Sequence, residues 1–301
     1  MKWNKVVEYI KNPKRIWQFL VLRNIVHISD KRYLKMKYKY MFGKDLDLKN
    51  PKTFNEKLQW LKLYDRNPEY TKLVDKYEVK KYVSQIIGEK YIIPTLGIYN
   101  SFDEIDFDKL PNQFVMKCTH DSGSTIICKD KKTFNIAEAK EKINKFLKTN
   151  YYLSGREWPY KNVKPRILIE KYMENTDGTS IYDYKFYCFN GKTDYVMLCT
   201  ERETGNPKFF FLDKNGILME DFTKDGKRYG ENLKVKNIDN LGEMLKIAEK
   251  LSQGIKFLRV DLYNVNGNIY FSEFTFYPSS GFDLNRLEIT DKVFSEKLKI
   301  L

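Results

Sequence analysis

Three Asn-Gly pairs, Asn190-Gly191, Asn215-Gly216 and Asn266-Gly267, punctuate the second half of the chain. Asn-Gly suits the positive φ angles of tight turns, so each pair marks a β-hairpin. Hairpins join antiparallel strands, whereas parallel strands need long crossovers. One long helix, about Ile238 to Gln253, separates the second and third pairs. Upstream, Phe114–Cys118 reads as a strand, followed by the polar turn His120-Asp121-Ser122-Gly123-Ser124 and a strand from Thr125 to Cys128. Asn135 then caps a helix through Leu147, and Arg166–Met173 is a further strand. The pattern predicts an α+β fold with antiparallel sheet, not a βαβ repeat.

The first hundred residues are mostly helical in pattern. Thr53 and Glu56 form a capping box for a helix from Phe54 to Tyr64, with Leu58, Leu61 and Tyr64 on one face. A second helix is expected from about Glu69 to Ile87, stopping at Gly88, then a short strand and linker over Tyr91–Ile98. The 301 residues allow about two domains. Cys118, Cys128, Cys188 and Cys199 lack CxxC spacing and sit in strand-like segments, which reads as buried reduced thiols. With His27 and His120 the only histidines, a histidine-rich metal site is excluded.

The net charge of +14 favours anionic partners: nucleic acid, an anionic membrane face, or a phosphorylated or acidic substrate. The basic residues are spread along the chain without a zinc-finger or RNP signature, so nucleic acid is not expected. Lys14, Arg15, Trp17, Phe19, Leu20, Leu22 and Arg23 would form a basic, aromatic amphipathic helix. Such a helix can rest on an anionic membrane, or simply pack on its own domain. No apolar run there is long enough to span a bilayer, and no signal peptide is visible.

The last hairpin, Phe257 to Phe276, carries the strongest site pattern. With a three-residue loop of Asn266, Gly267 and Asn268, Asp261 lies opposite Glu273 and Arg259 opposite Thr275. Those four side chains then share one face, while Leu258, Val260, Leu262, Phe274 and Phe276 form a core face. Two close carboxylates suit a divalent cation completed by phosphate and water. They equally suit a cross-strand cluster neutralised by Arg259, and a two-residue turn would put the two acids on opposite faces. Lys117, in an apolar strand, points either to solvent or to an anion, and Gly123 lets backbone N–H groups converge on phosphate. No P-loop, Rossmann or nucleophile-elbow motif appears.

The order of these blocks resembles the ATP-grasp superfamily: a lysine strand, a glycine-containing loop, a helix, an hhhEKYh strand (Ile167–Met173) and an acidic C-terminal hairpin. It is similar in particular to the TupA-like branch, named for teichuronopeptide biosynthesis. The carrying stretches are NPKTFNEKLQWLKLYDRNP (Asn50–Pro68), LVDKYEVKKYV (Leu73–Val83), LPNQFVMKCTHDSGS (Leu110–Ser124), DYKFYCFNGK (Asp183–Lys192) and RVDLYNVNGNIYFSEFTFYPSSGF (Arg259–Phe282). The resemblance implies two α+β subdomains sandwiching a nucleotide, over 101–175 and 176–301, preceded by a helical region over 1–100. It further implies that Lys117 binds the ATP phosphates under Ser122, Gly123 and Ser124. Glu170, Lys171, Tyr172 and Met173 would hold adenosine, with Asp183 nearby, and Asp261, Glu273 and Thr275 would bind Mg²⁺. Arg259, Arg202 and Lys185 would stabilise the transferring phosphoryl group. Many ATP-grasp enzymes have Glu-x-Asn where this chain has Glu273-Phe274-Thr275, which puts the third metal ligand in question.

The function so implied is an ATP- and Mg²⁺-dependent carboxylate–amine ligase working through an acyl-phosphate. Its substrates would be glycan-linked or sugar-nucleotide-linked, in bacterial surface polysaccharide assembly, for example amidation of a uronic acid with an amino acid. A cytoplasmic location, with peripheral contact to the inner membrane face, goes with that reading. The alternatives are a glycosyltransferase-type enzyme, which the lack of a strand-flanked DxD disfavours, and an ATP-binding protein without ligase activity.

Overall fold

The computed structural model describes residues 13–201, 204–233 and 238–300. Two antiparallel sheets organise it. The first has strands β1 (Thr95–Tyr99), β2 (Phe114–Cys118), β3 (Ile126–Cys128) and β4 (Ile167–Lys171), in the order β1-β4-β2-β3. The second has β5 (Asp183–Phe189), β6 (Lys192–Thr200), β7 (Lys208–Asp213), β8 (Phe257–Val265) and β9 (Asn268–Thr275), in the order β7-β6-β5-β8-β9.

Strand alternation gives each sheet one apolar face. On the first, Phe114, Met116, Cys118, Ile167 and Ile169 pack with Ala139 and Ile143 of the helix Ile136–Leu147. Asn135 caps that helix by accepting from the Glu138 N–H, and His120 Nε2 lies 3.2 Å from the Phe146 carbonyl and 3.1 Å from that of Thr149 at its other end. On the second, Phe186, Cys188, Leu258, Val260, Leu262 and Phe274 form a larger core with Met244, Ala248 and Leu251 of the helix Leu241–Leu251. All four cysteines are buried free thiols.

The N-terminal region is helical, with α1 (Pro13–Leu22), α2 (Asp30–Phe42) and α3 (Phe54–Tyr64). Thr53 and Glu56 close the expected capping box, an arrangement whose side-chain cap is typically worth about 1 kcal/mol. The helix expected over Glu69–Ile87 is instead two, α4 (Tyr70–Val74) and α5 (Glu78–Ile87). Asp75 causes the break: its Oδ1 accepts from the N–H groups of Tyr77 (2.8 Å) and Glu78 (3.2 Å) and so starts a new helix. Arg166 holds the break against β4, reaching Asp75 and Glu78 at 2.8 Å each.

Two of the three Asn-Gly pairs make full hairpins. Asn190 and Gly191 have φ of 50° and 78°, and Asn266 and Gly267 have 52° and 77°. At Asn215-Gly216 only a single bridge, Leu212 to Leu218, follows the turn. The last turn is a two-residue loop, since Val265 pairs with Asn268. Regular pairing from there would have turned Glu273 to the core face. A bulge at Ser272, between the pairs Leu262–Phe271 and Asp261–Glu273, restores the shared face. The expected pairing of Asp261 with Glu273 and Arg259 with Thr275 is thus present, but a bulge and not a three-residue loop produces it.

Candidate active site

The polar face of the second sheet has its charges in rows. Lys185, Asp261 and Glu273 lie side by side across β5, β8 and β9. Tyr187, Arg259 and Thr275 form the next row, and Asp183 pairs with Tyr263 on the other side. Arg259 clamps Asp261 with a fork, Nε to Oδ1 and Nη2 to Oδ2, both at 2.7 Å. Lys185 Nζ donates to Asp261 Oδ2 at 2.6 Å and to Asp183 Oδ2 at 2.5 Å. Arg259 Nη2 also donates to Thr275 Oγ1 (2.8 Å) and reaches Glu273 Oε1 at 3.4 Å.

These bonds divide the two acids. Asp261 is fully buried and held by two cations, whereas the Glu273 side chain is 40% exposed with one long contact. Burial opposes its charge, but Lys76, Arg259 and Lys185 hold Glu273 below the usual carboxylate range. Burial likewise works against Lys185, yet Asp183 and Asp261 more than offset it and raise its pKa.

The first sheet has a polar face of its own. Lys117 and Glu170 both point away from the apolar core of that sheet, and Lys117 Nζ meets Glu170 Oε2 at 2.5 Å. Lys80 takes the other oxygen, Oε1, also at 2.5 Å. Burial lowers Lys117, but Glu170, Tyr263 and Glu273 more than compensate and its pKa rises. Tyr263 and Glu273 of the second sheet thus lie within electrostatic reach of Lys117. Against burial, Lys117 and Lys80 keep Glu170 ionised at lower pH than an ordinary glutamate.

Lys76 and Lys80 were not singled out from the sequence. Lys76 sits in the break between α4 and α5, bonds the Asp121 carbonyl and feels Glu273. Lys80 also donates to the Ile93 carbonyl and Thr95 Oγ1 at 2.8 Å. The available signal was the Asp75-Lys76 pair inside an otherwise periodic helix, read there as continuous.

In the polar turn, Ser122 and Gly123 are exposed, and Gly123 takes φ 107°. The Ser124 hydroxyl is turned inward, accepting from Cys118 N–H (2.8 Å) and donating to Asp121 Oδ1 (2.7 Å). It staples the turn. The Lys171 N–H bonds the Pro94 carbonyl at 3.0 Å and its side chain is exposed; Tyr172 and Met173 are half-buried just after β4. Arg202 lies outside the described residues.

Mg²⁺ takes one or two carboxylates and completes its shell with phosphate oxygens and water. The row at β8 and β9 supplies that donor chemistry: Glu273 accessible, Asp261 behind it, Thr275 and Asp183 alongside. Among the described residues no cluster of three or more His, Cys, Asp or Glu forms an all-protein metal cage. Of the two acids of the row, Glu273 is the one with an accessible carboxylate, since Arg259 and Lys185 take both oxygens of Asp261.

The TupA-like ATPgrasp family model matches residues 56–299. The chain belongs to the TupA-like ATP-grasp family. No curated protein matches the chain. Solved structures with which it shares a likeness include the D-alanine–D-alanine ligase of Bacillus anthracis complexed with ATP, 16% identical with a TM-score of 0.41 over 75% of this chain and 62% of that one. The D-alanine–D-alanine ligase of Helicobacter pylori is 17% identical, TM-score 0.44, over 81% and 69%. The D-cycloserine synthetase DcsG is 13% identical, TM-score 0.41, over 77% and 72%. The chain spans less than two thirds of the length of the Bacillus anthracis enzyme. These likenesses are distant, and the family match carries the assignment.

Proposed function

We propose that the chain is an ATP-dependent carboxylate–amine ligase whose nucleotide lies between the two charged sheet faces. The observation that carries this reading is that Lys117, paired with Glu170 on one sheet, lies within electrostatic reach of Glu273 in the Lys185–Asp261–Glu273 row on the other. Triphosphate is held by cations, and Lys117 of the first sheet with Lys76 and Lys80 from the α4–α5 segment, together with Lys185 and Arg259 of the second sheet, offer them. The domain limits at about 100 and 175 go with this reading, although β1 begins at Thr95, before the first of them.

Each residue has a task in such a reaction. Lys117 and Lys76, beneath the Ser122-Gly123 turn, hold the phosphates. Glu170 fixes Lys117 and Lys80 as a positioned pair, while Lys171, Tyr172 and Met173 border adenine. Glu273, with Asp261 behind it and Thr275 and Asp183 nearby, would hold Mg²⁺, which would supply positive charge to the phosphate oxygens. Arg259 and Lys185 neutralise charge as the γ-phosphoryl passes to a carboxylate oxygen, work that phosphoryl transfer assigns to positioning and electrostatics. The acyl-phosphate so formed is attacked by an amine, the new C–N bond replaces the C–O bond, and phosphate leaves. Closure of the exposed turn keeps water out meanwhile.

The substrate assignment is narrower: a glycan- or sugar-nucleotide-linked carboxylate and an amino-acid amine, on the cytoplasmic side of bacterial surface polysaccharide assembly. It is supported by the TupA-like family and by the +14 charge, which favours acidic substrates. An ADP-release screen of uronic acids crossed with amino acids tests it. The expected result is ADP release that requires both partners; release requiring neither, or none with any pair, would remove the ligase reading.

A further inference from the structure

The helix α2 has two unlike faces. Its inner face is fixed to the enzyme: Tyr33, Leu34 and Tyr38 are buried, and Tyr33 Oη and Lys37 Nζ donate to the Ser154 carbonyl at 3.0 and 2.6 Å. Asp30 accepts from the Tyr152 hydroxyl, and Arg156 lies 4.2 Å from the Tyr33 ring centroid. The outer face, by helical spacing, is Lys31, Arg32, Lys35, Lys39 and Tyr40. Its four cations are all exposed, and after Asp30 the helix contains no acid. Among the described residues only Lys39 has an acidic partner there, the exposed Asp45 at 2.9 Å.

Exposed apolar side chains lie on the same helix and on the segment before it. Tyr40 is 64% exposed, and the adjoining α1 and its turn expose Trp17 (48%) and Ile25 (62%). Arg23 is exposed on the same turn as Ile25. The side chains of Lys14 and Arg15 lie outside the described residues. A helix with cations on its outer face and aromatic or aliphatic tips at its margin matches the chemistry of an anionic bilayer surface: headgroup charge for the lysines, the acyl boundary for the tips. Nucleic acid would use the charges and leave the aliphatic Ile25 exposed to water. No helix among the described residues is long and apolar enough to cross a membrane.

We infer that the outer face of α2, with Trp17 and Ile25, docks the protein on anionic phospholipid. The inner face then ties that surface to the reaction centre. Tyr152, Ser154 and Arg156, which α2 grips, lead into Glu157, a buried carboxylate beside Ser280 and Lys62 and within the field of Arg259. A docked α2 thus brings the loop bordering the phosphoryl-transfer side to about a helix diameter, ~10 Å, from the lipid surface. The consequence for substrate, an acceptor carried on a lipid, rests on the ligase reading above. The docking itself does not.

Vesicle co-sedimentation of the full chain at about physiological salt, where surface charges act over ~8 Å, tests the inference. The probes are phosphatidylcholine vesicles with and without phosphatidylglycerol. Binding is expected only to the anionic vesicles, falling with added salt. The variant Lys31→Glu/Arg32→Glu/Lys35→Glu should bind at least ~100-fold more weakly, from a contribution per cation that multiplies across three positions. Tyr40→Ser should weaken binding several-fold, and both variants should keep the wild-type melting temperature and Mg-ATP affinity. Equal binding to both vesicle types, undiminished binding of the triple variant, or binding to duplex RNA in place of vesicles would each overturn the inference. Any of these results leaves the ligase reading standing, and a failed ligase screen leaves the docking result standing.

Discussion

Glu170 offers the sharpest perturbation, because both its oxygens are committed. Each meets a lysine at 2.5 Å, and the carboxylate side chain is 5% exposed. Glu170→Gln keeps the shape and removes the charge, leaving the Lys80 and Lys117 ammonium groups, 13% and 14% exposed, without their counter-ion. Breaking a buried pair from one side costs about 3–5 kcal/mol. Lysines that keep some solvent can shed part of this by losing a proton, so the expected loss is about 3 kcal/mol. For a chain of this size that corresponds to roughly 5 °C in Tm. Urea unfolding and a thermal melt measure it. Mg-ATP should recover most of the deficit, because phosphate oxygens replace the missing carboxylate beside Lys117. Inorganic triphosphate should do the same. If Glu170 served mainly the ribose or adenine, the variant would instead keep its stability, lose nucleotide affinity and respond to triphosphate as wild type does. That outcome would refute the reasoning.

Further expectations concern the loops beside the site. In Gly155→Ala the new Cβ would lie 1.8 Å from Ser280 Oγ and 2.9 Å from its Cβ. One of the two loops must move, so a loss of about 1–3 kcal/mol by urea unfolding, with slower turnover, is expected; unchanged stability would contradict the packing. Lys62, buried among the Gly155 and Ser280 carbonyls (2.8 and 2.7 Å), has its pKa pushed down by burial to about 7. Below that pH the folded state carries a buried charge, and between about 7 and the ordinary 10.5 the unfolded state binds more protons. Stability gained from this group therefore rises with pH across that window. The unfolding free energy of wild type minus that of Lys62→Met should climb from pH 7 to 10, and a flat difference would show that Lys62 titrates normally.

The sequence was most informative where one local rule decided the structure. Strand β2 was legible from the alternation of Phe114, Met116 and Cys118, and the helix from Ile136 from its Asn135 cap. Face membership in the acidic ribbon depended on two compensating features. Asn266-Gly267 makes a two-residue turn that alone would misplace Glu273, and the Ser272 bulge reverses the effect. A bulge leaves no reliable mark in composition, because Ser272 differs little from any strand residue. The break at Asp75 was hidden for another reason: an Asx cap inside a helical pattern is visible only when its backbone partners are known. Missing that break hid Lys76 and Lys80. The sequence also could not show that Arg259 and Lys185 occupy Asp261, which makes Glu273 the open acid.

That asymmetry frames the central claim, a nucleotide held with Mg²⁺ between the two charged faces. Equilibrium binding of ATP to wild type and to Glu273→Gln, each with and without Mg²⁺, tests it directly. Wild type should bind ATP at least ~10-fold more tightly with the metal, from a charge-assisted contact of about 1.4 kcal/mol or more. Glu273→Gln should lose that increment and keep its metal-free affinity, which rests on Lys76 and Lys117. An increment of equal size in both proteins would contradict the account.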